Sequence, residues 1–222
     1  MRNDLELQLE QLLAHVVAMA ERTDAMLAEA LQALELGDIE AARRVTAADE
    51  EVDRAYEQVQ HGVLSTVALH GPVAGDLRLL TALIHVSLHV ERMGDYAAGV
   101  ARIVERVREL PGDTGLTDQL LEMGAKAREV ARASMLAFMH RDVDEAKACA
   151  PLDDVVDRLN VGIFQRLVRL AAADEHVLEW ATHMTQVVRN LERYADHGVD
   201  IAEQAVFAVT GRVIELSTHD AG

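Results

Sequence analysis

The fold is decided by the stretch VVRNLERYADHGVDIAEQAVFAVTG, residues 187–211, which has the apolar spacing of one amphipathic helix and carries Glu192 and Asp196 four residues apart. An earlier stretch, HVERMGDYAAGVARIVERV, holds Glu91 and Asp95 at the same spacing. The recurrence predicts a duplicated helical unit with an acidic pair in each copy.

The rest of the chain has the same helical character. Strong helix formers dominate, aromatic residues make up only 3%, and strand-type alternation never persists. Asp38 and Asp142 are plausible N-caps, and Pro151 is expected in the first turn of a helix or at a kink near its start. The chain is therefore predicted to be all-α. Six long helices are expected, at about 4–36, 39–70, 73–110, 116–140, 142–173 and 176–211.

Aligning the chain with itself predicts two copies of a three-helix unit. GDIEAARRVTAADEEVDRAYE, residues 37–57, aligns with RDVDEAKACAPLDDVVDRLNV, residues 141–161, at an offset of 104. ERMGDYAAGVA aligns with ERYADHGVDIA at an offset of 101, because the first half has the longer connection between its last two helices. The two repeats are predicted to occupy residues 1–110 and 111–222.

The charge of the chain narrows the classes of partner. Its 38 acidic and 21 basic residues give a net charge of −17, which opposes non-specific binding to nucleic acid and to anionic membranes. The single cysteine, Cys149, allows no internal disulfide and is predicted to be a buried apolar residue. No apolar run has the length of a membrane span, and the first residues lack the apolar core of a signal peptide. A soluble cytoplasmic protein is expected.

Each predicted half contains two acidic pairs at i,i+4 spacing, which places both carboxylates of a pair on one helix face. The eight residues are Asp49, Asp53, Glu91, Asp95, Asp153, Asp157, Glu192 and Asp196. If the helices of each unit run antiparallel, four carboxylates converge in each half, and such clusters suit iron, manganese, magnesium or zinc. Acidic pairs are also common on solvated helix faces, where neighbouring arginines form ordinary ion pairs with them. The arginines concerned are Arg54, Arg92, Arg158 and Arg193. Because the pairs recur at matched places, metal binding or another shared role is the favoured interpretation.

Histidines near these pairs are weaker candidates for metal ligands. His85 and His89 are one helical turn apart, and His183 and His197 flank the acidic pair of the last helix. None has a matching histidine in the other half, where Asn190 takes the place of His89, so an accessory role is predicted. No Glu-x-x-His occurs, which weighs against a ferritin-like di-iron oxidase, and no phosphate-cradling glycine motif is present.

Three longer segments carry a family likeness: PVAGDLRLLTALIHVSLHVERMGDYA, DDVVDRL and NLERYADHGVDIAEQAVFAVTG. They resemble the PhoU family of phosphate-signalling regulators, whose last motif is close to N-L-E-R-I-G-D-H-A-x-N-I-A-E and ends in T-G or K-G. Together with the tandem repeat and the six predicted helices, the likeness extends over nearly the whole chain.

The resemblance implies two three-helix bundles related by pseudo-two-fold symmetry, with E/D-x-x-x-D motifs that hold multinuclear iron or zinc clusters. Carried over by motif, the metal ligands are the same eight carboxylates. It also implies a cytoplasmic, non-enzymatic adaptor between the ATPase subunit of the phosphate ABC transporter and a sensor histidine kinase. Such an adaptor represses the phosphate-starvation response when phosphate is plentiful. A homodimer is expected.

Departures from the family motif bear on the identity and number of the metals. The glycine of E-R-x-G-D is kept as Gly94 in the first half and becomes Ala195 in the second, while His89 and Tyr96 replace the usual residues at their positions. Two other interpretations stay open at this stage. One is a metal-dependent enzyme or metal-storage protein that uses the acidic clusters. The other is a structural helical bundle without metal, in which nothing binds specifically at the acidic residues. Within the family resemblance, contact of the acidic patch with a partner is the alternative to metal.

Overall fold

Six long helices and one short helix make up the chain in a computed structural model that describes residues 2–216. Within that range every regular element is helical. The α-helices are α1 (Arg2–Leu36), α2 (Ile39–His70), α3 (Ala74–Val107), α4 (Thr114–His140), α5 (Val143–Lys147), α6 (Ala150–Ala173) and α7 (Leu178–Thr210). A turn of 3₁₀ helix, Glu175–Val177, precedes α7. The prediction of an all-α chain with six long helices is confirmed.

Side-chain caps and left-handed residues explain where several helices begin and end. Asp38 caps α2 by accepting a hydrogen bond of 3.0 Å from the amide of Ala41. Gly71 ends the same helix with φ +54°, and its N–H donates to the carbonyl of Val67. Asp142 caps α5 by accepting from two backbone amides. Both predicted N-caps are therefore confirmed.

The predicted fifth helix, residues 142–173, is wrong as a single element. The structure divides it into α5, which ends at Lys147, and α6, which begins at Ala150. Pro151 lies in the first turn of α6, as the sequence predicts. A proline at this place has no N–H to donate to the carbonyl of Lys147, and its ring would clash with that carbonyl, so a continuous helix is blocked.

The two halves meet along α3 and α7, which make the most extensive interhelical contact in the fold. α1 and α2 pack against α3, while α4 and α6 pack against α7, so each half is a three-helix bundle related to the other by pseudo-two-fold symmetry. Small residues such as Ala97, Ala98 and Ala202 are fully buried in the two central helices and allow close packing.

The predicted boundary between the two repeats, between residues 110 and 111, stays a prediction. Residue 1 and residues 217–222 lie outside the described part.

An ion-pair group also joins the halves, between α1 and α4. Both oxygens of Asp24 accept hydrogen bonds from Arg128 and Arg132, at distances of 2.7 to 3.1 Å. Because Asp24 and Arg128 are only about one-fifth exposed, the paired geometry is shielded from solvent on most sides. The group helps to hold the two bundles in a defined relative position.

Two further predictions concern membrane-spanning segments and the burial of Cys149. None of the described helices is both long and apolar enough to cross a membrane. Cys149 is fully buried, and its thiol donates to the carbonyl of Glu145 at 3.4 Å. The prediction that Cys149 is a buried residue is confirmed.

Candidate functional site

The first carboxylate cluster, defined as Asp49, Asp53, Glu91 and Asp95, lies where α2 and α3 pack side by side. Burial, together with the charges of Asp95 and Asp53, raises the pKa of Asp49 to about 6. Burial also raises the pKa of Glu91; the charge of Arg92 opposes the shift, and the three other cluster carboxylates add to it. The four carboxylates are thus close enough to repel one another, as the spacing predicts.

The second carboxylate cluster, defined as Asp153, Asp157, Glu192 and Asp196, repeats this arrangement between α6 and α7. Burial raises the pKa of Asp153 to about 7, with the charges of Asp157 and Asp196 acting in the same direction. Burial and then the charge of Glu192 raise the pKa of Asp196 to about 6, against the charge of Arg193. Both halves therefore concentrate negative charge in a half-buried place.

Three oxygens of these clusters are buried and accept no hydrogen bond from any described residue. They are Oδ1 of Asp49, Oε2 of Glu91 and Oδ1 of Asp153. A buried oxygen without a partner costs about 1–3 kcal/mol, and more when it is charged. A cation bound to these oxygens would remove that cost, and carboxylate oxygen suits iron, zinc, manganese and magnesium. The donor type of these residues therefore suits a cation, but among the described residues only His89, His197 and Asp200 bring three possible ligand atoms within 4.8 Å of one another.

A glycine on α3 makes room for the first cluster. A Cβ atom placed on Gly94 would lie 3.2 Å from Oδ1 of Asp49 and 3.3 Å from Cγ1 of Val52, closer than an ordinary van der Waals contact. Glycine at this position therefore allows α3 to approach α2 at the cluster. The second half has Ala195 at the equivalent position, so its cluster tolerates a methyl group there.

Arginines neutralise the clusters only in part. Nη1 of Arg92 lies 3.1 Å from Asp95, and Nε of Arg193 lies 3.7 Å from Glu192. Arg54 pairs with an exposed glutamate outside the cluster, at 3.8 Å. Nε of Arg92 also lies 3.4 Å from Oε2 of Glu91, an ion pair without a hydrogen bond. The interpretation as ordinary ion pairs therefore applies to some of the arginines, and it leaves the buried oxygens of Asp49 and Asp153 without donors.

The histidines occupy places that the spacing alone did not indicate. His89 of α3 meets His197 of α7, and both contact Asp200, a residue that the sequence reasoning missed. The ring of His197 stacks on Tyr96 with centroids 5.6 Å apart, and burial lowers the pKa of His89 to about 4. His85 points to solvent instead. One signal was available: Asp200 follows His197 by three residues and so shares its helix face.

A basic cleft of about 570 Å³ between α3 and α7 was also missed. Its arginines are Arg102, Arg106, Arg189 and Arg193. The i,i+4 spacing of arginines on each helix was the available signal, but which faces of α3 and α7 meet cannot be derived from either helix alone. The cleft concentrates positive charge in a chain whose net charge is −17.

Comparison with known proteins agrees with this architecture. A family model described as the PhoU domain matches the chain twice, over residues 16–104 and 120–205. The "Phosphate-specific transport system accessory protein PhoU homolog" of Xylella fastidiosa (strain 9a5c) is 30% identical over 204 residues, covering 92% of this chain and 86% of the relative. The Deinococcus radiodurans protein of the same name is 31% identical over 211 residues, covering 95% and 99%.

Solved structures share the fold. The phosphate transport system regulatory protein PhoU from Streptococcus pneumoniae superposes with a TM-score of 0.88 at 24% identity, covering 95% of this chain and 99% of that one. PhoU from Pseudomonas aeruginosa gives a TM-score of 0.86 at 25% identity, covering 93% and 99%. Since the family model matches both halves and the relatives cover more than nine-tenths of the sequence, this chain belongs to the PhoU family.

Proposed function

We propose that this protein is a non-enzymatic regulator of phosphate uptake and of the phosphate-starvation response. The observation that carries the proposal is the match of both halves to the PhoU family, together with relatives named as accessory proteins of a phosphate-specific transport system. The proposed location is the cytoplasm, where the partners implied by the resemblance would be within reach. A strongly acidic surface is suited to contacts with basic patches of protein partners rather than with nucleic acid.

The proposed partners are the ATPase subunit of a phosphate ABC transporter and a sensor histidine kinase. The protein would link the two as an adaptor, with its helical bundles presented by a homodimer, and would repress the starvation response when phosphate is plentiful. Long helices suit such a role because each half offers an extended, rigid face. The support for these partners is the family resemblance.

The two carboxylate clusters are proposed to hold cations, with iron or zinc first and manganese or magnesium as alternatives. The support is the set of three buried oxygens that accept no hydrogen bond, at Asp49, Glu91 and Asp153, of which only the Glu91 oxygen has an ion-pair contact, 3.4 Å from Arg92. A bound cation supplies positive charge that neutralises the crowded carboxylates. The chain's own contribution is to hold two acidic pairs on facing helices, so that α2 is joined to α3 and α6 to α7. The cation would therefore stiffen each bundle.

The regulatory part is tested by deleting the gene and measuring transcription from a phosphate-responsive promoter in high phosphate. Derepression that is reversed by the wild-type gene is the expected result. Unchanged repression in a strain with no second copy of the gene would contradict the proposal. Pull-down of the kinase and the transporter ATPase from phosphate-replete cells tests the partners separately.

A metal-dependent enzyme is the alternative from another class. The raised pKa of Asp153, to about 7, is the property that an acid–base residue would need. Burial, together with repulsion among the carboxylates of a cation-free cluster, produces the same property, so the raised pKa does not favour catalysis by itself. The pull-down separates the two, because an adaptor must bind the kinase and the transporter ATPase, whereas an enzyme would require turnover of a substrate.

A further inference from the structure

Three side chains outside the carboxylate clusters meet where α3 of the first half packs against α7 of the second. The Nδ1 atoms of His89 and His197 lie 3.0 Å apart. Oδ2 of Asp200 lies 3.2 Å from Nδ1 of His89 and 3.0 Å from Nδ1 of His197. The three side chains are 17%, 21% and 40% exposed, in the order His89, His197, Asp200, so an ion could enter from solvent. This group is called the His–His–Asp triangle below.

Protons cannot satisfy all three contacts of the triangle. Each imidazole Nδ1 carries at most one hydrogen, and an ionised carboxylate carries none. If both nitrogens donate to Asp200, their two hydrogens face each other across a distance of 3.0 Å. If only one nitrogen is protonated, two of the three atoms face each other with lone pairs. A cation accepts a lone pair from all three atoms, and it therefore removes the conflict.

The distances of the triangle also suit a metal ion. Bonds of about 2.1 Å place two ligand atoms about 3.0 Å apart at octahedral angles and about 3.4 Å apart at tetrahedral angles. The observed separations of 3.0 to 3.2 Å fall at the lower end of that range. Two imidazole nitrogens and one carboxylate oxygen form a donor set that borderline first-row cations favour, with the remaining positions open to water.

The triangle does not arise from the duplication itself. The repeat offset of 101 maps its three members onto Asn190, Tyr96 and Gly99, none of which offers an imidazole or a carboxylate. At that equivalent place a Cβ on Gly99 would lie 2.7 Å from Nδ2 of Asn190, so the asparagine amide fills the space. Tyr96 instead stacks on the ring of His197 and restricts its orientation. One side of the pseudo-two-fold axis thus has three metal-type donors, and the other has none.

We propose that His89, His197 and Asp200 bind a single borderline divalent cation, with zinc as the ion that the donor set favours, and thereby tie α3 to α7. The site is separate from the all-carboxylate clusters, and its ligands come from both halves of the chain. A bound ion would join the two bundles directly at their main interface. The proposal goes beyond the regulatory function and does not rest on it.

The test uses the full chain, stripped with a chelator and labelled with ¹⁵N. Zn²⁺ is titrated to an excess over all candidate sites while two-bond ¹H–¹⁵N spectra report on the imidazole nitrogens. The expected result is a large change in the Nδ1 signals of His89 and His197, saturating at one zinc ion for the pair. Zinc binding with both signals unmoved would overturn the proposal, because the carboxylate clusters contain no imidazole.

Variants supply a second measurement. His89→Asn gives position 89 the residue that stands at the equivalent place in the other half. We expect it to weaken zinc binding at this site on the order of 100-fold. Asp200→Asn should act in the same direction. His85→Asn is the matched control, since His85 is an exposed histidine one turn away on the same helix. Equal zinc affinity in all three variants and the wild type would contradict the proposal. The wild-type spectra decide the matter if a variant fails to fold.

Discussion

The two carboxylate clusters have the same four-carboxylate design, yet they differ in how far their charge is neutralised. In the first cluster, Arg92 lies 3.4 Å from Glu91 and 3.1 Å from Asp95. In the second, Arg193 lies 3.7 Å from Glu192. Burial is the largest cause of the raised pKa in both clusters, to about 7 for Asp153 in the second and about 6 for Asp49 in the first. Duplication has therefore kept the carboxylates, while the arginine contacts that offset their charge are weaker in the second cluster. We expect the second cluster to bind cations more tightly for this reason.

The largest expected effect comes from removing one cluster at a time. Glu192→Gln/Asp196→Asn should weaken cation binding in the second half on the order of 100-fold or more, because two candidate ligands lose their charge. Glu91→Gln/Asp95→Asn should do the same in the first half. Calorimetric titration of each chelator-stripped variant with Zn²⁺ or Fe²⁺ measures the loss.

The outcome of these titrations tests whether the second carboxylate cluster binds cations more tightly than the first. The variant that lacks the second cluster should lose the tighter class of sites, and the variant that lacks the first should lose the weaker class. Glu50→Gln is a suitable control, since Glu50 is exposed beside Asp49 and pairs with Arg54 at 3.8 Å. Identical isotherms for the two double variants would show that the clusters are equivalent.

A smaller effect is expected in the pH dependence of stability. The pKa of Asp153 is raised from 3.8 to about 7 in the folded protein, so between these values the folded state holds more protons than the unfolded state. The stability that this carboxyl contributes is therefore complete below pH 3.8 and is lost as the pH rises to about 7. With allowance for solvent screening, we expect a loss of about 2 kcal/mol in metal-free protein.

Chemical denaturation in a chelator, from about pH 4 to pH 8, checks this prediction. Asp153→Asn should flatten the fall, Asp49→Asn should flatten it less because its pKa reaches only about 6, and the exposed-site variant Asp118→Asn should leave it unchanged. A profile for Asp153→Asn parallel to the wild type would contradict the prediction.

Exchanging glycine and alanine at the equivalent positions 94 on α3 and 195 on α7 should have a still smaller effect on stability. Gly94→Ala places a methyl group 3.2 Å from Oδ1 of Asp49, and the crowding should exceed the gain in helix propensity, lowering stability by about 1 kcal/mol. Ala195→Gly should cost a similar amount, because glycine is the poorer helix former and Ala195 is fully buried.

The difference between these two variants lies in cation binding. Gly94→Ala should weaken binding at the first cluster by displacing Asp49, whereas Ala195→Gly should leave binding at the second cluster intact. Urea denaturation and metal titration measure the two effects separately. Unchanged cation affinity in Gly94→Ala would show that the close approach is not needed for the cluster.

The smallest effect should come from the arginines. Arg92→Gln removes two ion-pair contacts of a half-exposed arginine, together worth up to about 1 kcal/mol, so cation affinity of the first cluster should rise by no more than about fivefold. Arg193→Gln should change the second cluster less, because its contact with Glu192 is longer, at 3.7 Å. Competition titrations at low salt resolve such differences. A larger gain for Arg193→Gln would reverse the proposed order of neutralisation.

The sequence allowed the helices and the acidic pairs to be predicted, because both depend on local spacing. Asp38 and Asp142 could be recognised as caps from their neighbours alone. The break at Pro151 was anticipated only in part, since the proline was recognised but the end of α5 four residues earlier was not. Local sequence patterns thus predicted the helices better than the break between α5 and α6.

The site contacts that the sequence did not reveal depend on how helices pack. The buried oxygen of Asp153 follows from the depth at which α6 lies against α7, which periodicity does not determine. The meeting of His89 with His197 and Asp200 requires the register between α3 and α7. These residues are far apart in sequence and belong to different halves, so comparison of the two repeats could not reveal that they touch.

The most direct test of the central claim is element analysis of the wild-type chain, purified without added metal or chelator and again after reconstitution with iron or zinc. The buried oxygens of Asp49, Glu91 and Asp153, which accept no hydrogen bond, predict that metal is bound beyond the single ion of the His–His–Asp triangle. This additional metal should be lost when all four residues of the pairs on α3 and α7 are neutralised. Absence of this additional metal from both preparations of the folded wild-type protein would contradict the claim that the carboxylate clusters are cation sites.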